Sequence, residues 1–153
     1  MTDTDSIVID PSIERDFCEK ALNTTSISSD DSKRIADTLV ESDLRGVYSH
    51  GIQILPRYVR GFSNGINPTP KIKTVVDAGS LNIIDGDCGI GHVVSTKAMQ
   101  MAIDKAKDHG VACVTVHLQS HIGRLGDYPT MAIKEGMIAM ITADSGAGPK
   151  AVV

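Results

Sequence analysis

The feature that most constrains the fold is an alternation of strand and helix patterns in the second half of the chain. After Pro70, the segments KIKTVV and SLNIIDG resemble strands and are joined by a turn at Gly79. GHVVSTKAMQMAIDKAKDHG predicts a long helix, and the continuously apolar VACVTVHL predicts a strand buried on both faces. A helix near residues 125–135 and a buried strand at MIAMITA complete the series. Strand–helix–strand units of this kind pair their strands in parallel with right-handed crossovers.

The first part of the chain predicts helices only. Asp10 is a candidate cap for a helix in DPSIERDFCEKALNTT, with Pro11 at its first position. Its apolar face is expected to carry Ile13, Phe17 and Ala21. SISSDDSKRIADTLVESDLRG predicts a second helix capped by Ser29, and a third is expected over about 51–64.

These patterns predict an α/β fold in two parts. Residues 1–70 form an N-terminal helical unit, assigned to dimerisation or substrate binding. Residues 71–153 form the first part of an α/β/α layered domain with largely parallel strands, assigned to cofactor binding. Three parallel strands do not make a satisfactory closed domain, so we expect the chain to be an incomplete portion of a longer protein.

Composition excludes several classes of function. The formal net charge of -4 argues against nucleic-acid binding, and no apolar run approaches the ~20 residues that span a bilayer. The acidic start MTDTDSIVIDPS lacks a signal-peptide core, so we expect a cytoplasmic protein. Three cysteines without CxxC spacing predict reduced thiols and no disulfide framework.

Three loops at the predicted carboxyl ends of the strands are candidate ligand-binding loops, because ligands bind there in open parallel sheets. They are DGDCGIGH, QSHIGRLGD with His121, and DSGAGP with Ser145. GDCGIG fails the spacing of the dinucleotide fingerprint and favours a tight turn. Metal binding by Asp85 and Asp87, or by His117 and His121, lacks further ligands at suitable spacing, and we expect no metal.

His50 and His121 are the candidate proton carriers. Each follows a serine and lies close to a glycine, in a segment where a side chain can face a ligand. A cleft between the helical unit and the sheet would bring the two rings together, with Ser49 orienting His50. The alternative is that both are ordinary packed loop histidines.

The blocks DLRGVYSHG with LPRYV, IDGDCGIGH, and SHIGRLGDY with EGMIAM resemble the malate/L-lactate dehydrogenase-like family, which also contains ureidoglycolate and sulfolactate dehydrogenases. The resemblance implies a non-Rossmann oxidoreductase of about twice this length. It implies NAD or NADP as cofactor, a small 2-oxo or 2-hydroxy acid as substrate, and a homodimer. It further implies that His50 is a proton donor and acceptor with Ser49 as relay partner, that His121 is an acid/base group, and that Ser145 contacts the cofactor.

Two positions depart from the family pattern. Ile54 stands where many members carry an arginine that holds the substrate carboxylate, and we hypothesise that Arg124 provides this grip. The alternative is that Arg124 only braces its loop. His92 stands where glutamine is common, which predicts altered hydrogen bonding in that loop.

Two other functions fit the sequence less well. A truncated, non-catalytic relative could act as a dimerisation or small-acid-binding module, which the expected missing half favours. A zinc hydrolase would require a metal site that the spacing does not supply. The intact pair of Ser-His segments favours the dehydrogenase.

Overall fold

A computed structural model describes residues 8–144. Its helices are α1 (Pro11–Leu22), α2 (Ser29–Leu44), α3 (Leu55–Ser63), α4 (Gly91–His109) and α5 (Asp127–Lys134). Its strands are β1 (Lys73–Ala78), β2 (Leu81–Gly89) and β3 (Cys113–Gln119). Two 3-10 turns, Tyr48–His50 and Ile52–Ile54, connect α2 to α3. Within this range, no helix is both long and apolar enough to cross a membrane.

The first two helices begin where side chains satisfy their first N–H groups. Asp10 accepts a hydrogen bond from the Ser12 N–H at 2.8 Å, with Pro11 at the first helical position, as expected. The cap of α2 is Ser28, which accepts from the Asp31 N–H at 3.1 Å, and not Ser29. The difference is one residue, because Ser28 is the last residue with extended backbone.

The apolar face predicted for α1 is partly wrong. Ile13 and Phe17 are 63% and 58% exposed, whereas Cys18 and Leu22 are fully buried. The buried pair is also spaced by four residues, so the helix is rotated relative to the expected stripe, and only Ala21 of that stripe packs against the core.

One core joins the helices to the start of α4. Its buried members come from α1, the loop before α2, α2, α3 and the sheet-to-helix junction: Cys18, Leu22, Ile27, Ile35, Ala36, Leu39, Leu55, Tyr58, Ile90 and Val93. The helical segment is therefore packed directly against the strand–helix unit. The division of the chain at residue 70 stays a prediction.

The sheet has three strands in the order β1-β2-β3. β1 and β2 form an antiparallel hairpin through the turn at Gly79, whose φ of +69° favours glycine. β2 and β3 are parallel, with α4 as the crossover, as the alternation predicts. The fold is therefore α/β with a small mixed sheet, in which one of the two pairings is parallel.

Two strand predictions are wrong in detail. β3 is not buried on both faces, because it is the edge strand and its residues are exposed or half-buried. MIAMITA forms no strand: the described part of the chain has no strand within residues 137–144, and Ile138 is wholly exposed. An apolar run is buried only if a neighbouring strand or helix covers it.

The end of β2 contains the two acidic residues that were considered as metal ligands. Asp87 accepts hydrogen bonds from the Lys71 N–H at 2.8 Å and from Asn67 Nδ2 at 2.9 Å. Asp85 accepts from the Asp87 N–H at 2.7 Å. Both carboxylates therefore hold the backbone of this irregular strand end. Among residues 8–144, no group of three or more His, Cys, Asp or Glu could hold a metal ion.

Candidate active site

Two histidines from distant parts of the chain meet beside the sheet. His50 ends the first 3-10 turn, and His121 lies in the loop that follows β3. Their rings stack with centroids 5.4 Å apart and planes inclined by 29°. Both side chains are half-buried, so each retains a face open to a small ligand.

The segment around His50 is held by α2. Asp43 accepts a hydrogen bond from the Ile52 N–H at 2.6 Å, and the His50 N–H donates to the Val47 carbonyl at 2.9 Å. A Cβ at Gly51 would lie 1.9 Å from the Asp43 carboxylate, so only glycine allows this approach. Ser49 Oγ lies 2.9 Å from His50 Nδ1, the contact expected of an orienting partner.

His121 is fixed by a tyrosine from α3. Tyr58 Oη lies 2.7 Å from His121 Nδ1. Burial is the main cause that lowers the pKa of His121, and the positive charges of His50 and Arg57 lower it further. Burial raises the pKa of Tyr58, so this hydroxyl stays protonated.

A third histidine, His92, contacts the Tyr58 hydroxyl. His92 Nε2 is 2.9 Å from Tyr58 Oη, and His92 Nδ1 is 3.0 Å from Thr38 Oγ1. The His92 ring is 1% exposed, and burial, followed by repulsion from His121 and His50, lowers its pKa to about 3. His92 is therefore neutral near pH 7. Gly123 lies against its ring, because a Cβ there would be 2.2 Å from His92 Cε1.

Tyr58 and His92 are the site residues that sequence reasoning missed. Tyr58 lies on the buried face of α3 and was not considered separately from the surrounding apolar residues, while His92 was interpreted as a loop hydrogen-bonding residue. One signal could have found Tyr58: a buried tyrosine hydroxyl requires a hydrogen-bond partner. His92 lies in the first turn of α4, so its position depended on how α4 packs.

Arg124 bonds to Asp127, and among the described residues it has no hydrogen bond to His50 or His121. Arg124 forms an ion pair with Asp127 at the start of α5, and both side chains are largely buried. Its Nε is buried without a hydrogen-bond partner. Ser145 lies outside the described residues.

The geometry brings two stacked imidazoles, a tyrosine hydroxyl and a buried third histidine together in an α/β protein. The sequence model of the malate/L-lactate dehydrogenase family matches residues 9–153. The chain therefore belongs to the malate/L-lactate dehydrogenase family.

Individual relatives agree with this family. The malate dehydrogenase of Pyrococcus horikoshii is 44% identical over 130 residues, which cover 84% of this chain and 36% of that protein. The L-sulfolactate dehydrogenase of Methanocaldococcus jannaschii is 38% identical over 135 residues, which cover 88% of this chain and 39% of that protein. The solved structure of the Pyrococcus horikoshii enzyme matches with a TM-score of 0.82 at 42% identity, over 85% of this chain and 38% of that one. The chain thus spans well under half the length of these relatives.

Proposed function

We propose that this chain provides the proton-transfer half of a dehydrogenase that interconverts a small 2-hydroxy acid and its 2-oxo acid. The observation that carries the proposal is the stacked pair of His50 and His121, 5.4 Å apart, in a member of the malate/L-lactate dehydrogenase family. Oxidation of the hydroxy acid removes a hydride from carbon and a proton from oxygen. An imidazole within hydrogen-bond reach of that oxygen accepts the proton, and it donates the proton in the reverse direction.

NAD or NADP is the proposed cofactor, and it supplies the hydride chemistry when bound. The described site residues are consistent with a separate hydride carrier, because they are proton carriers and none of them can carry a hydride. Ser145 is proposed to contact the cofactor.

The nitrogen atoms left free on the two rings define where the substrate oxygen would lie. His50 Nδ1 is occupied by Ser49, and His121 Nδ1 is occupied by Tyr58. Each ring therefore has only Nε2 available to a substrate. The charge of His50 lowers the pKa of His121, so a proton on His121 is disfavoured while His50 is charged.

Arg124 is proposed to bind the substrate carboxylate. Its ion pair with Asp127 holds the guanidinium in one orientation, and its unpartnered Nε–H is a donor that a carboxylate could satisfy. The bracing role considered from the sequence requires only the contact with Asp127.

The experiment that tests the function is a chimera. Residues 1–153 are joined to the remaining C-terminal part of the Pyrococcus horikoshii malate dehydrogenase, and oxidation of NADH or NADPH by 2-oxo acids is measured. We expect turnover by the chimera. The 153-residue chain alone is expected to be inactive, because it spans only 36% of that relative.

Variants of the chimera test the assigned residues. His50→Ala and His121→Ala should each lower kcat by about 10²–10⁴-fold, the range of general acid–base catalysis. His109→Ala, at the exposed end of α4, is the matched control and should have no effect. A folded chimera that binds cofactor but is insensitive to both site variants would refute the proposal.

A second candidate is a non-catalytic module that binds small acids, for which the half-buried pair of His50 and His121 would be the binding site. Binding of malate by the chain, together with a chimera that folds but does not turn over, would support it. We further propose that the dehydrogenase is a cytoplasmic homodimer, supported by the family to which the chain belongs.

A further inference from the structure

A line of hydrogen bonds runs from His121 into the protein core and ends at a backbone carbonyl. It passes from His121 Nδ1 to Tyr58 Oη (2.7 Å) and on to His92 Nε2 (2.9 Å). From His92 Nδ1 it continues to Thr38 Oγ1 (3.0 Å), which donates to the Ile35 carbonyl at 2.8 Å. Each of the two histidines in this line uses Nδ1 for one of its contacts.

The terminal carbonyl sets the direction of the line. A carbonyl oxygen only accepts, so the single hydroxyl proton of Thr38 points to Ile35. Thr38 Oγ1 can then only accept from His92, which places the His92 proton on Nδ1. Because buried His92 is neutral, its Nε2 carries a lone pair.

The same logic extends to the candidate active site. Tyr58 must donate its proton to the bare His92 Nε2. Its oxygen is then left to accept from His121, which requires a proton on His121 Nδ1. The Nε2 atom of His121, the one proposed to face substrate, is consequently bare.

The Gly123 N–H opposes this arrangement. It lies 3.3 Å from His121 Nδ1 and would donate to that atom if it were bare. If His121 Nδ1 were bare, every hydrogen bond in the line would have to reverse its direction. Thr38 would then donate to His92 Nδ1 and would lose its hydrogen bond to the Ile35 carbonyl. The line therefore has two consistent directions. The Thr38 contact with the Ile35 carbonyl, at 2.8 Å, is shorter than the Gly123 contact with His121 Nδ1, at 3.3 Å, and this favours the first direction.

We propose that Thr38, His92 and Tyr58 are positioning residues that lock neutral His121 in the Nδ1–H tautomer, with Nε2 as a ready proton acceptor. The catalytic meaning of this lock rests on the proposed function. In that reaction, neutral His121 is set to take the hydroxyl proton of the 2-hydroxy acid, and in the reverse direction Nε2 must first be protonated.

The test is the imidazole nitrogen spectrum of the 15N-labelled 153-residue chain at about pH 8, where histidines of ordinary pKa are neutral. Protonated and bare ring nitrogens have well-separated 15N shifts, so each tautomer is read directly. We expect both His92 and His121 to carry their protons on Nδ1. A His121 proton on Nε2 in the unmodified chain would overturn the proposal without any variant.

A distant substitution tests the lock. Thr38→Val removes the anchor while keeping the shape of the side chain. It should shift the His121 tautomer ratio toward Nε2–H by about tenfold, the effect of roughly one hydrogen bond. Thr96→Val is the matched control, since the Thr96 hydroxyl donates at 2.7 Å to the His92 backbone carbonyl and lies outside the line.

Tyr58→Phe should produce the same change as Thr38→Val by cutting the line next to His121. If His121 keeps its tautomer in both variants, or changes equally in Thr96→Val, the three residues only fill space. These spectra require no turnover. If the tautomer measurements contradict the lock, the dehydrogenase proposal is unaffected. If the chimera is inactive, the measured tautomers are unaffected.

Discussion

At the scale of single residues, His92 combines an ionisable group with complete burial. Its folded-state pKa of about 3 lies below the ordinary value of 6.5, so the unfolded chain binds the additional proton first. The stability contributed by neutral burial of His92 is therefore fully present above about pH 6.5 and is lost as pH falls toward 3. This one group changes the free energy of unfolding by at most ~1.4 kcal/mol per pH unit.

We therefore expect His92→Gln to remove part of the acid sensitivity of the fold. The measurement is the free energy of unfolding by urea at several pH values between 4 and 8. Glutamine at position 92 does not titrate, so the variant should lose less stability on acidification than the original chain. Parallel pH dependences of the two proteins would contradict neutral burial of His92.

Glu14 has a pH dependence of the opposite sign. Burial, followed by a hydrogen bond and repulsion from Asp43, raises its pKa from 4.5 to about 7. The folded state therefore holds a proton that the unfolded state has released, and stability falls as pH rises from about 4.5 to 7. Glu14→Gln should stabilise the chain by about 1–3 kcal/mol at pH 8 and have little effect near pH 4.

The control for Glu14→Gln is Glu19→Gln on the same helix. Glu19 is not part of the Glu14–Asp43 contact, so its replacement should be nearly neutral at both pH values. Urea unfolding at pH 4 and pH 8 checks the pair. Equal effects of the two substitutions at pH 8 would show that the Glu14–Asp43 contact carries no repulsion.

The two arginines near the site have different surroundings. Arg124 is held by Asp127, whereas Arg57 is exposed and takes part in none of the side-chain hydrogen bonds or ion pairs found within residues 8–144. In the chimera, Arg124→Lys should raise KM for the 2-oxo acid by about tenfold or more, because lysine cannot reproduce the guanidinium fork. Arg57→Lys keeps the positive charge near His121 and should leave KM unchanged. If only Arg57→Lys raises KM, the carboxylate site belongs to α3.

At the scale of elements, the loop after β3 depends on one glycine. Gly123 has a φ of +74°, and a Cβ there would be 2.2 Å from His92 Cε1. Gly136 has nearly the same φ, +72°, with nothing within 4 Å. Alanine at Gly136 therefore adds only backbone strain of about 1–2 kcal/mol. Gly123→Ala should cost about 2–4 kcal/mol, because the bonded His92 ring has no room to move.

Thermal or urea unfolding of the two alanine variants checks this comparison. The His121 imidazole signals provide a second measurement, and they should shift in Gly123→Ala and remain in place in Gly136→Ala. Equal destabilisation by both substitutions would mean that the loop does not rest on His92.

The elements themselves were largely predictable from the sequence, for local reasons. Asp10 with Pro11 fixes the start of α1, and the turn at Gly79 separates β1 from β2. The rotation of α1 was not predictable, because Ile13 and Cys18 are both apolar, and only packing against α2 decides which of them is buried. Periodicity identifies an apolar face only when a single face is apolar.

The candidate site was also only partly predictable from the sequence. His50 and His121 could be predicted as a pair, because each is in a Ser-His segment at the edge of a predicted cleft. The line through Tyr58, His92 and Thr38 could not be predicted, since it joins three elements that are distant in sequence. Its partners are separated by 34 and 54 positions along the chain, and no local pattern encodes such contacts.

At the scale of the whole molecule, exposed apolar side chains include two stretches of different backbone structure. One lies on α1, with Ile13 and Phe17, and the other is segment 137–144, which forms no helix or strand, with Ile138 and Met140. Exposed apolar groups on a segment outside helices and strands favour association between chains, because its backbone groups can also pair with a neighbour. The helix surface has no such open backbone groups, since its N–H and C=O groups are bonded internally.

We therefore expect the purified 153-residue chain to self-associate through segment 137–144. Ile138→Lys with Met140→Lys should reduce the sedimentation-velocity average toward that of a monomer, because two charges oppose stacking of the segment. The same substitutions should leave the melting temperature unchanged, since both side chains are almost fully exposed. Ile13→Lys with Phe17→Lys is the matched control. If the control pair alone restores the monomer, association proceeds through α1, and segment 137–144 has no part in it.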